Sequence, residues 1–508
     1  MSTVAEGRRG PITAGLMLST FMIAMDTTVV NVSLPHMQGS LSASPEQITW
    51  VLSSFIVAQA VATPISGWLA SRVGSKTMLL ACMGLFTLSS VLCGMAVNLP
   101  QMVLFRVLQG ATGAPMGPLA QAVMLNINPP SRIGRAMALF TMAAVLGPIL
   151  GPVVGGYITD QLSWRWCFYI NVPAGILALV LLWLFLPAEP PTRRRFDFLG
   201  FSSLALAVGS FQLLLDRGTS QDWFNSLEIW IEAIIAAGGF WVFITHTVTT
   251  RNPLFQPGLW RNLNFTTATF LTFPFTMLLY SSVALLPLMM QGVMGYPVIV
   301  AGLVSMPRGM TMLLVLQVMG RLDALVDRRL LLAFAFAVMG VSFMQMGQFD
   351  LDMSPRLIVI ATILQGIGQG VMSVPLSTLA LGTLAPNLRA DASAFMGMVR
   401  NLAGSVGIAA MQALTAFNAQ RMHASLTNGV RLDDPVVRAG LGSALSPETV
   451  AGAVRLNEEI TRQATMVAYV DDFRLMALLT LLSAPMLLLL RQPKRRVGPP
   501  EIIEPAGV

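Results

Sequence analysis

Apolar runs of about 20 residues, long enough to cross a hydrocarbon layer as helices, recur along the whole chain and are separated mostly by short polar breaks. The pattern predicts spans at 12–35, 48–70, 77–97, 101–124, 136–158 and 167–187, then a pair at 198–215 and 227–248, then six more at 264–290, 298–319, 330–348, 356–381, 393–417 and 469–490. Fourteen membrane helices grouped six, two and six are therefore expected, an all-α integral membrane fold. The expected division is a first six-helix bundle over 1–188, an inserted pair over 189–260, a second bundle over 261–490 with a long outer loop at 418–468, and a tail over 491–508.

Composition supports that pattern. Of the 508 residues 54% are hydrophobic and 11% charged, against about 25% charged in an ordinary soluble protein, and the mean hydropathy is +0.68. A water-soluble globule is excluded. The net charge of +7 raises nucleic acid as a partner, but the basic residues are placed as topology signals. One set of loops and tails holds Arg8, Arg9, Arg72, Lys76, Arg132, Arg135, Arg193, Arg194, Arg195, Arg251, Arg261, Arg321, Arg328, Arg329, Arg389, Arg491, Lys494, Arg495 and Arg496, while the opposite short loops hold Arg165, Arg217 and Arg356. Cytoplasmic loops carry the excess of Lys and Arg, so both termini are expected in the cytoplasm and no nucleic acid is implied. Cys82 and Cys93 lie eleven residues apart on one span, about 16 Å by helix rise, too far for a disulfide.

The two blocks repeat each other. Leu108-Gln109-Gly110 recurs as Leu364-Gln365-Gly366, Gly67 and Leu69 recur as Gly320 and Leu322, and Pro129 and Arg132 recur as Pro386 and Arg389, at offsets of 256, 253 and 257. Related halves are a common plan among transporters, and the common offset marks 190–260 as the insertion.

Two charges inside the first block carry candidate chemistry. Asp26 lies about nine residues, or 14 Å, from the outer end of the first span, and Arg106 lies about 8 Å into the fourth from the same face. A carboxylate in hydrocarbon costs several kcal/mol and must face protein or water. The two depths fall within reach of an arginine side chain, and burial opposed by a nearby guanidinium leaves Asp26 able to titrate near neutrality. Proton coupling and a permanently ionised structural pair are the two readings of this pair. Direct contact of Asp26 with cationic cargo is a further role. Of the other intramembrane polar groups, Glu232 is expected to snorkel to the interface, and Arg308 and Arg400 to contact cargo or carbonyls. Flexible methionines suit a pocket that repacks around different ligands, which makes Met289, Met290, Met306 and Met310, with Phe273 and Tyr280, candidate lining residues alongside Gln109.

Gly67-Trp68-Leu69-Ala70-Ser71-Arg72-Val73-Gly74-Ser75-Lys76 is a short turn in which glycines allow close approach, while Arg72 and Lys76 are placed to bond carboxylates or helix C-terminal carbonyls. It resembles the G-x-L-x-D-R-x-G-R-R loop of the major facilitator superfamily, with Ser71 where that motif has Asp. Leu104 to Gly113, with Arg106, Gln109, Gly110 and Gly113, resembles the superfamily's fourth-helix motif. Gly147-Pro148-Ile149-Leu150-Gly151-Pro152, continuing to Gly155-Gly156, resembles its antiporter motif G-P-x-x-G-G. The stretches Asp26 to Pro35, Trp164-Arg165-Trp166 through Pro173, Asp216-Arg217-Gly218 and Ala468 to Phe473 are similar to the fourteen-helix drug:proton antiporters of the EmrB/QacA type.

The resemblance implies a major facilitator fold in a bacterial inner membrane. It also implies export of amphipathic or lipophilic compounds in exchange for protons by alternating access, and a possible periplasmic adaptor and outer-membrane channel, with Arg455, Glu458, Glu459 and Arg462 in the outer loop as the docking surface. The alternative on the same scaffold is a dedicated exporter of one metabolite, fatty acid or siderophore. The chain holds no G-x-x-x-x-G-K-[ST] phosphate loop, and His36, His246 and His423 are too scattered for a metal site. No cofactor is expected, and an ion gradient is left as the energy source. A lipid enzyme would need a clustered nucleophile and base, which the sequence does not supply.

Overall fold

The computed structural model of the protein describes residues 6–129, 132–188, 195–429 and 449–490, nearly all of them helical. The first bundle comprises α1 (Glu6–Ser40), α2 (Trp50–Val73), α3 (Ser75–Met95), α4 in two pieces (Leu99–Gly113 and Met116–Ile127), α5 (Ile133–Gln161) and α6 (Trp166–Phe185). The pair α7 (Phe198–Arg217) and α8 (Leu227–Thr249) follows. The second bundle comprises α9 (Leu263–Gly292), α10 (Val298–Leu325), α11 (Arg328–Met346), α12 (Pro355–Gly382), α13 (Arg389–Gly429) and α14 (Val450–Leu489). Among the described residues thirteen helices are long and apolar enough to cross a membrane. The fourth predicted span is split at Ala114 and Pro115, where proline has no N–H for the helix ladder.

Local sequence explains the tight connections. The side chains of Asn98, Asp197, Asn262, Asp327, Ser354 and Thr449 each accept a hydrogen bond from a backbone N–H in the first turn of the following helix, which satisfies donors that a helix start leaves orphaned. Gly74 joins α2 to α3 at φ +86°, a conformation open to glycine and costly for other residues.

The predicted outer loop at 418–468 needs correction. α13 continues to Gly429 and α14 starts at Val450, so helix extends into both ends of it. Hydropathy marks where a helix leaves the apolar layer, not where its backbone hydrogen bonds stop. Residues 430–448, Arg193, Arg194 and the tail with Arg491, Lys494, Arg495 and Arg496 lie outside the described residues.

The inserted pair packs beside both bundles. Gly209 of α7 abuts Val61 of α2, and Gln212 of α7 donates to Ser405 Oγ of α13 at 2.8 Å. The bundles themselves meet near the ends of α2, α4, α5, α10 and α13 that carry the basic loops, here called the basic end. Glu6 lies there too, paired with Arg132 at 2.6 Å.

Candidate functional site: a sealed ion pair in the first bundle

Asp26 and Arg106 meet. Arg106 Nη1 donates to Asp26 Oδ2 at 2.6 Å, and both side chains are fully buried. The carboxylate receives two more hydrogen bonds on Oδ1, from Gln109 Nε2 at 2.9 Å and Asn171 Nδ2 at 2.8 Å. Ser90 Oγ, which accepts from Gln109 at 2.8 Å, completes the ring. The guanidinium is held independently: Nε donates to the Val51 carbonyl at 2.9 Å, Nη1 also to Gln109 Oε1 at 2.7 Å, and the Phe55 ring lies 4.1 Å from its central carbon. Arg106 Nη2 has no partner. Helices α1, α2, α3, α4 and α6 thus each supply one part of the cluster.

This geometry does two things. Breaking a buried pair from one side costs about 3–5 kcal/mol because it strands the other charge, so the pair fixes α4 against α1. Arg106 Nη1 occupies Asp26 Oδ2, so a proton arriving at that oxygen must displace this contact. No solvent path reaches either side chain in this conformation, and Asp26 and Gln109, both expected as tentative cargo contacts, are sealed from any cargo here.

The repeat makes the pair informative. At an offset of 256, Asp26, Ser90, Arg106 and Gln109 correspond to Ser282, Met346, Thr362 and Gln365. Three of these come together in the second bundle as their counterparts do in the first: Gln365 Nε2 lies 2.7 Å from Ser282 Oγ and 3.3 Å from Met346 Sδ. Even the Arg106 bond to Val51 has its echo, a contact of 3.4 Å from Thr362 Oγ1 to the Val304 carbonyl. The second bundle keeps the scaffold of the site without its charges.

The glycines of the 147–156 stretch hold α5 against α1 beside the pair. A Cβ on Gly147 would sit 2.6 Å from Met25 N, one on Gly151 2.0 Å from Thr28 Oγ1, and one on Gly155 3.1 Å from Val29 Cα. Their spacing of four residues is one helical stripe. Pro148 and Pro152 lie on the exposed side and Gly156 is half-buried, outside the closest packing.

At the basic end the bundles close on each other through two related contacts. In one, a Cβ on Gly67 would meet Asp391 of α13 at 2.0 Å from Oδ1 and 2.8 Å from Cα. In the other, Gly134 of α5 faces Asp323 of α10, and Gly320 faces Arg135. Asp323 is held by Arg328 at 2.9 and 3.1 Å. The first contact therefore has its carboxylate on α13, opposite the loop in which Ser71 replaces the acid. Arg389 donates to the Leu125 carbonyl and Asn126 across the same end, and Ser393 to Gln121 at 2.6 Å. Lys76 donates to the Trp183 carbonyl at 2.7 Å, capping α6 within its own bundle, and Arg72 is exposed.

A family model described as Major Facilitator Superfamily matches residues 16–408. The chain belongs to the major facilitator superfamily. Among its relatives, a protein named Multidrug export protein EmrB from Haemophilus influenzae is 36% identical over 84% of each chain, and one named Fatty acid resistance protein FarB from Neisseria gonorrhoeae is 34% identical over 79% of this chain and 80% of its own. The solved structure of the human organic anion transporter MFSD10 superposes with a TM-score of 0.61, 14% identity and coverage of 94% of this chain and 99% of that one, a likeness of fold. The chain is thus a multi-pass membrane protein of a transporter superfamily, with the EmrB type among its relatives.

Within the major facilitator fold the candidate lining residues take different places. Met289 and Met290 are fully buried in the core of the second bundle. Met306 and Met310 lie with Leu303 and Leu314 on the exposed stripe of α10, opposite the buried stripe of Ala301, Val304 and Met312, so they face away from the bundle interior. Phe273 and Tyr280 are exposed at 38% and 50%. Glu232 of α8 is buried, with Oε2 unpartnered, instead of snorkelling. Asn171, Ser90 and the Val51 carbonyl are members of the site that sequence reasoning missed. Asn171 sits inside the Trp164–Pro173 motif, whose embedded amide was the available signal.

Proposed function

We propose that this chain is a proton-coupled exporter of amphipathic or lipophilic compounds, working by alternating access from a bacterial inner membrane with both termini in the cytoplasm. The observation that carries the reading is the sealed Asp26–Arg106 pair in one bundle and its uncharged counterpart in the other. A purely structural pair has no reason to be confined to one half of a repeat, whereas a single coupling site does. The names of the EmrB relatives and the crowding of basic residues at one end support the direction and orientation.

In this scheme the conformation closed at the basic end is the outward-facing one. A proton from outside reaches Asp26 as the helices around it loosen, takes the place of Arg106 Nη1 at Oδ2, and favours the inward-facing state. Release inside restores the pair. Each charge carried inward gains about 2.3 kcal/mol per 100 mV of membrane potential. The Arg106 bonds to the Val51 carbonyl and Gln109 hold the guanidinium near the site after Nη1 has left Oδ2. The exposed helix from Val450, with Arg455, Glu458 and the Glu459–Arg462 pair at 3.2 Å, is the surface for an adaptor if one serves this exporter.

The relative named for fatty acid resistance supports a second reading, a dedicated exporter of one lipophilic compound. Purified protein in liposomes with an imposed pH gradient tests both. Gradient-dependent movement of several unrelated dyes supports the polyspecific exporter, movement of one class supports the dedicated one, and movement that ignores the gradient refutes proton coupling.

A further inference from the structure

Two positive charges in the second bundle play no part in the ion pair or the closing contacts. Arg308 lies on α10 and Arg400 on α13, both half-buried. Neither makes a hydrogen bond or ion pair among the described residues, and neither has a nitrogen among the atoms sealed from solvent without a partner. Their guanidinium groups are therefore not sealed by the surrounding side chains. The interior arginines Arg106, Arg328 and Arg389, by contrast, are each held by a carboxylate, an amide or a carbonyl.

Both sit on helices that border the junction between the bundles. On α10 the Arg308 carbonyl and Thr311 touch Gly366 of α12, while Gly309 meets Ile149 of α5. The Arg308 side chain leaves its helix on the buried stripe with Val304 and Met312, in the arc between those two neighbours. On α13, Ser393, Gly397, Arg400 and Gly404 follow at steps of three or four residues along one face. Ser393 and Gly397 meet Gln121, Pro118 and Thr63 of the first bundle, and Gly404 meets the Tyr280 ring. Arg400 lies one turn past the last contact with the first bundle, where that surface continues into the interior. By helix rise Arg308 is about 22 Å from Asp323 and Arg400 about 14 Å from Asp391, so both sit well above the closing contacts. Among the described residues, acids of this bundle have contacts elsewhere: Asp323 with Arg328, Asp472 through Oδ2 with Thr415, and Asp391 beside Gly67.

We propose that Arg308 and Arg400 form an anion-recognition site for cargo, so that the exported compounds include amphiphilic organic anions bearing a carboxylate or sulfonate on an apolar body. This rests on the exporter reading above and names the cargo class of that transporter. Unpaired guanidinium groups inside a low-dielectric wall attract anions and repel cations, and the planar fork matches a carboxylate or sulfonate in two hydrogen bonds. The labour then divides between the halves: the first bundle carries the proton on Asp26, and the second holds the anionic head.

The test uses full-length protein in lipid nanodiscs and liposomes, with 8-anilinonaphthalene-1-sulfonate as the anion and ethidium as the cation. In nanodiscs, wild type is expected to bind the sulfonate at least tenfold more tightly than R308Q or R400Q. Equal affinity in all three overturns the anion site. If either variant fails to fold, wild-type affinity for the sulfonate is compared with that for its uncharged sulfonamide, and equal affinity again overturns it. In liposomes under a pH gradient, movement of the sulfonate that falls at least tenfold in the variants supports the site, whereas movement of ethidium with none of the sulfonate overturns it and leaves the exporter reading intact. Arginine-dependent binding with no gradient-driven movement of either dye upholds the site and refutes the exporter reading alone.

Discussion

Replacing Gly67 by alanine separates conformational balance from folding. The added Cβ would lie 2.0 Å from Asp391 Oδ1, 2.8 Å from Asp391 Cα and 2.9 Å from its backbone nitrogen. The carboxyl oxygen has room to rotate away, but the backbone atoms do not, so α2 and α13 must part. These helices belong to different bundles, and the strain exists only while the basic end is closed. Overpacking of this kind costs about 1–3 kcal/mol, which shifts a two-state equilibrium about 5- to 150-fold toward the conformation open at that end. Spin labels at Thr77 and Asn387, both exposed and on opposite bundles at that end, report the separation by pulsed electron resonance. The native Cys82, Cys93 and Cys167 are buried, which keeps background labelling low. The long-distance population is expected to grow in G67A and to stay unchanged in G84A, where an added Cβ meets nothing within 4 Å. A G67A distribution identical to wild type refutes the argument that this contact closes the basic end.

Other outcomes follow from the site. Q109L is expected to lose gradient-driven cargo movement in liposomes, because Asp26 and Arg106 both lose a partner, while Q365L retains it, because the matching position in the second bundle joins no charge; equal loss in both would contradict a single coupling site. N171A removes one donor from the Asp26 carboxylate and leaves the Arg106 contact in place. A hydrogen bond to a charged group is worth about 1.5–3 kcal/mol, so N171A in detergent is expected to unfold at a lower temperature than wild type, and an unchanged melting temperature would refute the claim that Asn171 helps hold the carboxylate. G151L drives a side chain into Thr28, whose hydroxyl lies 2.0 Å from the added Cβ position. Folded protein in cargo-free liposomes is then expected to leak protons faster than wild type, measured with an entrapped pH dye.

Most of the long apolar helices were legible because hydrophobic length acts over whole spans. The pairing of Asp26 with Arg106 was legible for a simpler reason: helix rise puts the two at reachable depths, and a charge in hydrocarbon needs a partner. Asn171 was hidden because an amide at a helix start reads as interfacial when only the run after it is scored. The uncharged copy of the site was half visible in Leu108-Gln109-Gly110 and Leu364-Gln365-Gly366, but Ser282 and Met346 gain meaning only when seen around Gln365. Met306 and Arg308 show the limit of composition. They are two residues apart, so they leave the helix on nearly opposite sides, and residue type alone assigned both to a pocket. The split in α4 was signalled by Pro115, and the helices bordering 430–448 were not, since polar helix outside the apolar layer carries no hydropathy signal.

The central claim is that Asp26 exchanges a proton once per cycle and that this drives export. Wild type and D26N, reconstituted at equal density and checked for folding, are compared for cargo movement against its gradient under an imposed pH difference. Asparagine keeps the shape and an acceptor for Arg106 but holds no exchangeable charge, so the account predicts gradient-driven accumulation by wild type and only downhill equilibration by D26N. Accumulation by D26N at the wild-type rate would contradict it.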